Sequence, residues 1–271
     1  MEEKAETMRC SVARLSRGAE IHNSSMGRCS PSEMSVVMMT ITAHPNAAVP
    51  IKRAALTEHL DGKQFGGLRL KPVKESKRMG VRKKGSFYNS VSLQYVNGVG
   101  NNKCIKVFTN SKLHVTGCKT VDEFIETSQR VCFMLSDVTL KPLHVIDFDV
   151  NMIVVQFYIN AALDIGDLCS ILKGEKYSRE VLSACYNPDR NNGLVIKHRF
   201  EEPPGIGFHS ATGMESGKVS DAIKERAITI IVYRKGCVRL CGLKTHMEAL
   251  PSYRFITSVI ESVWSSIATA K

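Results

Sequence analysis

Two stretches of this chain repeat one another: Ile105–Thr120 reads IKVFTNSKLHVTGCKT, and Ile230–Thr245 reads IIVYRKGCVRLCGLKT. Ile105 matches Ile230, Val107 matches Val232, Gly117 matches Gly242, and Lys119-Thr120 matches Lys244-Thr245, all at a spacing of 125 residues. Phe108 stands opposite Tyr233, which keeps an aromatic ring at that place. A second echo lies upstream, where Asn46–Ile51, NAAVPI, answers Asn160–Ile165, NAALDI, at a spacing of 114 residues. Two echoes in the same order predict a duplicated unit whose second copy has longer connections. With 271 residues, the chain has room for two copies of about a hundred residues each.

The pattern inside each copy predicts strands flanked by helices. Ser35–Ala43 is apolar and β-branched and reads as a strand. Pro50 opens a short helix, PIKRAALTEHL, as a first-turn proline can. Phe87–Tyr95, Lys103–Thr109 and Lys112–Gly117 read as further strands, the last two joined by a tight Asn110-Ser111 turn. Gly236 supplies, in the second copy, the glycine that such a turn prefers. Thr120-x-x-Glu123 forms a capping box, with Thr245-x-x-Glu248 as its twin. The helices that follow are amphipathic, through Val121, Phe124, Ile125, Val131 and Leu135, and through Ile256, Val259, Ile260, Val263 and Ile267. Pro251 predicts a kink or a late start in the second of them. The second copy repeats the order with strands at Val150–Ile159, Gly193–Arg199, Ile228–Tyr233 and Val238–Gly242, and a helix capped by Asp164 that runs to Leu172. Strands covered by helices on one apolar face leave the other face open, so the expected class is α+β.

Residues 1–34 are polar and are expected to be disordered. Residues 35–137 then form the first repeat with a loop at 61–86, and 138–271 the second with a loop at 200–227. From Gly62 to Ser86, Arg69, Lys71, Lys74, Lys77, Arg78, Arg82, Lys83 and Lys84 crowd together against Glu75 alone. That loop is either a solvated segment or an arm that touches phosphates. The formal net charge of +11 points to an acidic partner, nucleic acid before a membrane surface.

Other classes find no support. The eight histidines form no motif with a nucleophile or carboxylates, and Gly205-x-Gly207 lacks the Gly-Lys-Ser/Thr of a phosphate loop, so no enzyme is expected. The nine cysteines include no CxxC; Cys237 and Cys241 read as reduced structural residues, and neither a metal nor a cofactor is expected. MEEKAETMRCSVARLSRG has no apolar core, so no signal peptide is expected. No apolar run approaches the roughly 18 residues that span a bilayer, so a membrane is not an expected partner.

The repeated sentence resembles the TATA-binding protein family. Each repeat of that family ends in a hairpin of the form Phe-x-x-Gly-Lys followed by Thr-Gly-x-Lys. Here Phe108-Thr109-Asn110-Ser111-Lys112 and Thr116-Gly117-Cys118-Lys119 follow it, with Ser111 in place of glycine. The second hairpin keeps Gly236, Gly242 and Lys244, and carries Cys237 and Cys241 at the lysine and threonine positions. Asp147–Val154, DFDVNMIV, resembles the family's entry into its second repeat, and Tyr186–Arg190, YNPDR, resembles its Tyr-Asn-Pro-Lys-Arg stretch. The likeness runs from about Ser35 to Lys271 and extends to the divergent relatives of this family in large DNA viruses, which implies a viral source.

The resemblance implies a pseudo-twofold saddle of two repeats, one long curved antiparallel sheet with helices on its convex face. It implies a transcription initiation factor that binds and bends promoter DNA through the minor groove. Its implied partners are double-stranded DNA and general transcription factors or RNA polymerase subunits. It would act in the nucleus, or in a viral factory in the host cytoplasm if virus-encoded. The wedges between base steps fall on Phe87 and Phe108 in the first repeat and on Tyr233 and Asn191 in the second. The concave face takes Met38, Thr40, Lys106, His114, Thr116, Met152, Val154, Ile231, Arg239 and Cys241. The family's central asparagines fall on Met38 and Met152, while Asn151, one residue off, is expected on the opposite face. Met152 offers no hydrogen bond to a base edge, so an altered or relaxed sequence preference is expected. Lys112, Lys119, Lys197 and Lys244 are the implied phosphate contacts. The alternative is a protein-interaction module that kept the saddle and lost specific DNA binding.

Overall fold

The computed structural model describes residues 1–17, 29–60, 65–71, 89–96, 102–189, 192–200 and 226–269. The chain divides into two compact units. One comprises Met1–Gly18, Ser35–Val155 and Lys244–His246, the other Ala19–Met34, Gln156–Leu243 and Met247–Lys271.

The first unit holds α1 (Glu2–Arg17), β1 (Ser35–Pro45), α2 (Arg53–Leu60), β2 (Leu68–Leu70), β3 (Ser90–Val96), β4 (Asn102–Phe108), β5 (Leu113–Cys118), α3 (Val121–Thr139) and most of β6 (Val145–Tyr158). Its strands lie in the order β2-β3-β4-β5-β1-β6. The pairs from β2 through β1 are antiparallel. The second unit holds the end of β6, then β7 (Ala162–Leu163), α4 (Ile165–Leu172), β8 (Val181–Cys185), β9 (Gly193–Phe200), β10 (Arg226–Tyr233), β11 (Cys237–Leu243), α5 (Ala249–Ser262), α6 (Trp264–Ile267) and β12 (Ala268–Thr269). Its main strands lie in the order β11-β10-β9-β8, all antiparallel, while β12 pairs with β7.

Alternation along each strand sorts the side chains into two faces. In β4 and β5, Ile105, Val107, Leu113 and Val115 are buried, while Cys104, Lys106, Phe108, His114 and Thr116 between them are half-exposed. In β10 and β11, Ile228, Ile230, Val232, Val238 and Leu240 are buried, while Thr229, Ile231, Tyr233, Arg239 and Cys241 are half-exposed. The buried face is the one that the helices cover. Phe124 of α3 meets Phe148 of β6 at 5.3 Å between ring centroids, and Phe157 of β6 meets Tyr253 of α5 at 4.7 Å. Each such ring contributes about 1.5–3 kcal/mol by leaving water.

The two sequence echoes meet each other in space, once in each unit. In the first, the segment Ala47–Ile51 lies against the β4–β5 turn: Ser111 Oγ donates to Ala47 O at 2.7 Å, Val49 N donates to Ser111 Oγ at 3.2 Å, and Ile51 N donates to Thr109 O at 2.9 Å. In the second, Ile159–Leu163 lies against the β10–β11 turn: Ile159 N donates to Gly236 O and Leu163 N to Arg234 O, both at 2.8 Å. Ser111 and Gly236 both take the left-handed conformation, with φ of 61° and 80°. A non-glycine residue there costs roughly 1–2 kcal/mol. The buried Ser111 hydroxyl offsets it by satisfying Ala47 O and Val49 N.

Several elements differ from the sequence reading. The N-terminal extension, expected to be disordered, includes α1. Its acidic start suits a helix N-terminus, Ala5 is fully buried, and Lys4 pairs with Asp147 at 2.9 Å and bonds Phe148 O. Arg9 ties α1 to Asp122 at the start of α3, with N–O distances of 3.0 and 2.8 Å. Inside the basic loop, Arg69 lies in β2; most of the remainder, at 61–64 and 72–88, lies outside the described residues, as does 201–225. The helix read from Pro50 begins at Arg53, and Phe87–Tyr95 becomes β3 from Ser90. The first capping box forms, with Glu123 N donating to Thr120 Oγ1 at 3.1 Å, although the Glu123 carboxylate reaches back to Lys119 N. Its twin does not form. Glu248 takes a bidentate ion pair from Arg226 of β10, at 2.9 and 2.6 Å, and α5 starts late at Ala249 with Pro251 in its first turn.

His246 is 1% exposed and its Nε2 finds no hydrogen-bond partner among the described residues. Burial pushes its pKa down to about 4, whereas an unfolded histidine titrates near 6.5. Between those values the unfolded state binds more protons, so stability is complete above pH 6.5 and falls as the pH drops towards 4. The loss approaches about 3 kcal/mol. Denaturant titrations across that range are expected to show this slope, and His246→Leu is expected to reduce it to the part that buried His198 contributes.

Candidate nucleic-acid interface

The helix-free face of each unit is built from rows of cross-strand neighbours. In the first unit, one row runs Gln94–Cys104–Thr116–Thr40 and the next Ser92–Lys106–His114–Thr42. Phe108 closes the hairpin end of this face opposite Ser90. In the second unit, one row runs Ser183–Lys197–Thr229–Cys241 and the next Cys185–Val195–Ile231–Arg239. Tyr233 closes that end opposite Gly193, and its ring lies over Gly193, where an added Cβ would sit 3.2 Å from it.

The sequence-expected concave residues Thr40, Lys106, His114, Thr116, Ile231, Arg239 and Cys241 all stand on these open faces, as do Phe108 and Tyr233. Met38 falls on the same side of β1 as Thr40 by alternation and is half-buried. Met152 and Val154 alternate with the buried Ile153 and Val155, and Val154 is itself buried. Phe87 and Asn191, the remaining wedge positions, lie outside the described residues.

Asn151 is a correction. It was expected on the covered side, yet its Oδ1 lies 2.7 Å from Thr42 Oγ1 on the open face. Phe148 and Ile153 are both fully buried, yet they stand an odd number of steps apart along the strand, which regular alternation would put on opposite faces. One break in the pleat is therefore required between them, and it turns Asn151 outward.

Charge on these faces is mostly positive. Lys106 stands in the first unit, with Arg69 of β2 reaching Gln94 Oε1 at 3.4 Å and Lys71 next to Cys104 Sγ at 3.8 Å. In the second unit, Lys197 Nζ donates to Thr229 Oγ1 at 2.7 Å, and Arg239 donates to Gln156 Oε1 at 3.1 Å while lying 5.5 Å from the Tyr233 ring. Burial raises the Cys241 thiol's pKa even though Arg239 and Lys197 oppose that shift. Burial and the Lys106 ammonium lower the pKa of His114, which keeps its imidazole neutral at pH 7. Two acids of β6 lie near one another, where Asp149 meets His44 at 2.7 Å and Asp147 meets Lys4.

The four implied phosphate contacts are exposed but not alike. Lys112 sits at the first hairpin turn and Lys119 just past β5. Lys197 lies on the open face itself, and Lys244 Nζ donates to Asn151 O at 2.7 Å. Sequence reasoning did not single out Arg69, Lys71 or Thr42 as face residues. Arg69 and Lys71 were visible only as members of a basic run, because a stretch as short as Leu68–Leu70 does not by itself announce a strand.

No group of metal-ligating side chains forms among the described residues. None of their helices is long and apolar enough to cross a membrane.

No family model matches the chain, and no curated protein matches it in sequence. Among solved structures, the TATA-binding protein (TBP) of Methanococcus jannaschii matches with a TM-score of 0.52, over 86% of this chain and 100% of that one, at 15% identity. The chain therefore has the α+β fold of a TATA-binding protein.

Proposed function

We propose that this protein is a DNA-binding transcription initiation factor that holds duplex DNA against the open faces of its two units, through the minor groove. One observation carries the reading. In both units the helix-free sheet face combines an aromatic ring at its hairpin end with cations on the strands themselves, Lys106 in one and Lys197 and Arg239 in the other. An uncovered sheet face of this kind needs a partner, and a cationic one suits a polyanion. Aromatic wedges unstack base steps, and the rim lysines Lys112, Lys119 and Lys244 neutralise phosphates. The two repeats, residues 35–137 and 138–271, each present such a face to DNA. Catalysis has no part in this function. Partners other than DNA are general transcription factors or polymerase subunits, and the place of action is the nucleus, or a viral factory if the chain is virus-encoded.

A second reading, a protein-interaction module, is favoured by apolar side chains on the helical side: Phe133 and Leu140, at the outer surface and C-cap of α3, are 64% and 90% exposed. Affinity for a random duplex, measured against salt, separates the two. Neutralising six or more phosphates predicts a loss of about a thousandfold or more between 50 and 200 mM salt. Affinity for duplex that is absent, or indifferent to salt, contradicts the DNA-binding reading.

A further inference from the structure

The open face of the first unit holds a hydrogen-bonded chain that fixes the state of one imidazole. Thr42 Oγ1 lies 2.7 Å from Asn151 Oδ1, a separation typical of O–H···O and short for N–H···O. Thr42 therefore donates its single hydroxyl proton to Asn151. Its oxygen also faces His114 Nδ1 at 3.4 Å, and with its proton committed it can only accept there. Nδ1 of His114 thus carries the ring proton. A neutral imidazole has one donor and one acceptor nitrogen, so Nε2 is left as a bare acceptor. The charged neighbour across the strands is Lys106, which disfavours a second proton on the ring.

The minor groove gives such an acceptor a single kind of partner. A·T and T·A pairs present only acceptors there, whereas G·C adds the guanine N2 amino donor. We propose that His114 selects a G·C pair at one position of the bound site by accepting a hydrogen bond from guanine N2, with Thr42 and Asn151 as positioning residues. This rests on the minor-groove reading above. The second unit lacks the device: at the same repeat spacing of 125 residues its open face carries Arg239, a donor that matches the acceptors of A·T pairs. The open faces of the two units are therefore chemically unlike, one offering an acceptor and the other a donor.

The test uses the full chain, a site obtained by selection from random duplexes, and the same site with each guanine replaced in turn by inosine. Inosine removes the N2 amino group and leaves the major-groove edge intact. At one position the wild-type protein is expected to lose roughly three- to tenfold in affinity, the worth of one hydrogen bond. His114→Ala should lose that penalty, and Thr42→Val, which frees the ring tautomer, should reduce it. Selected sites without guanine, inosine tolerated at every position, or an unchanged penalty in folded His114→Ala each overturn the inference while duplex binding stands. Absence of salt-dependent duplex binding removes the function and the inference together.

Discussion

Replacing Lys106 and Arg239 together by glutamate is expected to weaken duplex binding by about a thousandfold, since each charged hydrogen bond is worth about 1.5–3 kcal/mol and residues that share no partner add. The carboxylates also repel phosphate. Neither change touches the core. Lys106 lies between Ser92 and His114 on the half-exposed side of β4, and Arg239 rests against Gln156 and the Tyr233 ring. The melting temperature is expected to stay within a few degrees of wild type. Arg130→Glu, which makes one of the same charge reversals, is the control, because Arg130 lies on α3, on the covered side, with its partner Glu126 at 3.1 Å. Fluorescence anisotropy with a labelled duplex at fixed salt measures all three. A double variant that binds as tightly as the control removes these faces from the interface.

Gly236→Ala is expected to destabilise the protein by about 3–5 kcal/mol, the combined cost of left-handed strain, overpacking and broken hydrogen bonds. An added Cβ would lie 2.4 Å from Ala161 O and 2.6 Å from Ile159 O, both backbone atoms that cannot swing aside. The turn must then move away from Ile159–Leu163, which breaks the bonds from Ile159 N to Gly236 O and from Leu163 N to Arg234 O. The first unit shows why the same position tolerates a side chain there. Ser111 turns the close approach into a hydrogen bond to Ala47 O. Chemical denaturation of Gly236→Ala measures the loss, and a change below about 1 kcal/mol would contradict this packing.

Much of this architecture was legible because it depends on local geometry. The hairpins announce themselves through Asn110-Ser111 and Gly236, and the caps through Thr120 and Asp164, whose side chains bond amides within a few residues. The repeat was legible for the same reason: both echoes mark a turn and the segment that packs on it. What was lost depended on distant partners. Glu248 reads as a capping residue until Arg226, far back in the chain, takes its carboxylate. α1 reads as a polar tail until Lys4 and Arg9 find Asp147 and Asp122. The outward turn of Asn151 was hidden because β6 is apolar in both registers, with Phe148, Val150, Met152 and Val154 in one and Ile153, Val155 and Phe157 in the other. Such a strand does not specify where its alternation breaks. The cationic faces were half legible: Lys106 and Arg239 follow from the hairpin pattern, whereas Arg69 and Lys71 needed β2 and the Lys197 bond to Thr229 needed the β9–β10 register.

Methylation interference on a selected site tests groove choice most directly, because dimethyl sulfate modifies adenine at N3 in the minor groove and guanine at N7 in the major groove. Binding through the open sheet faces predicts that N3-methyladenine within the site blocks complex formation while N7-methylguanine does not. Interference at guanine N7 with none at adenine N3 would place the protein in the other groove and contradict the role assigned to these faces.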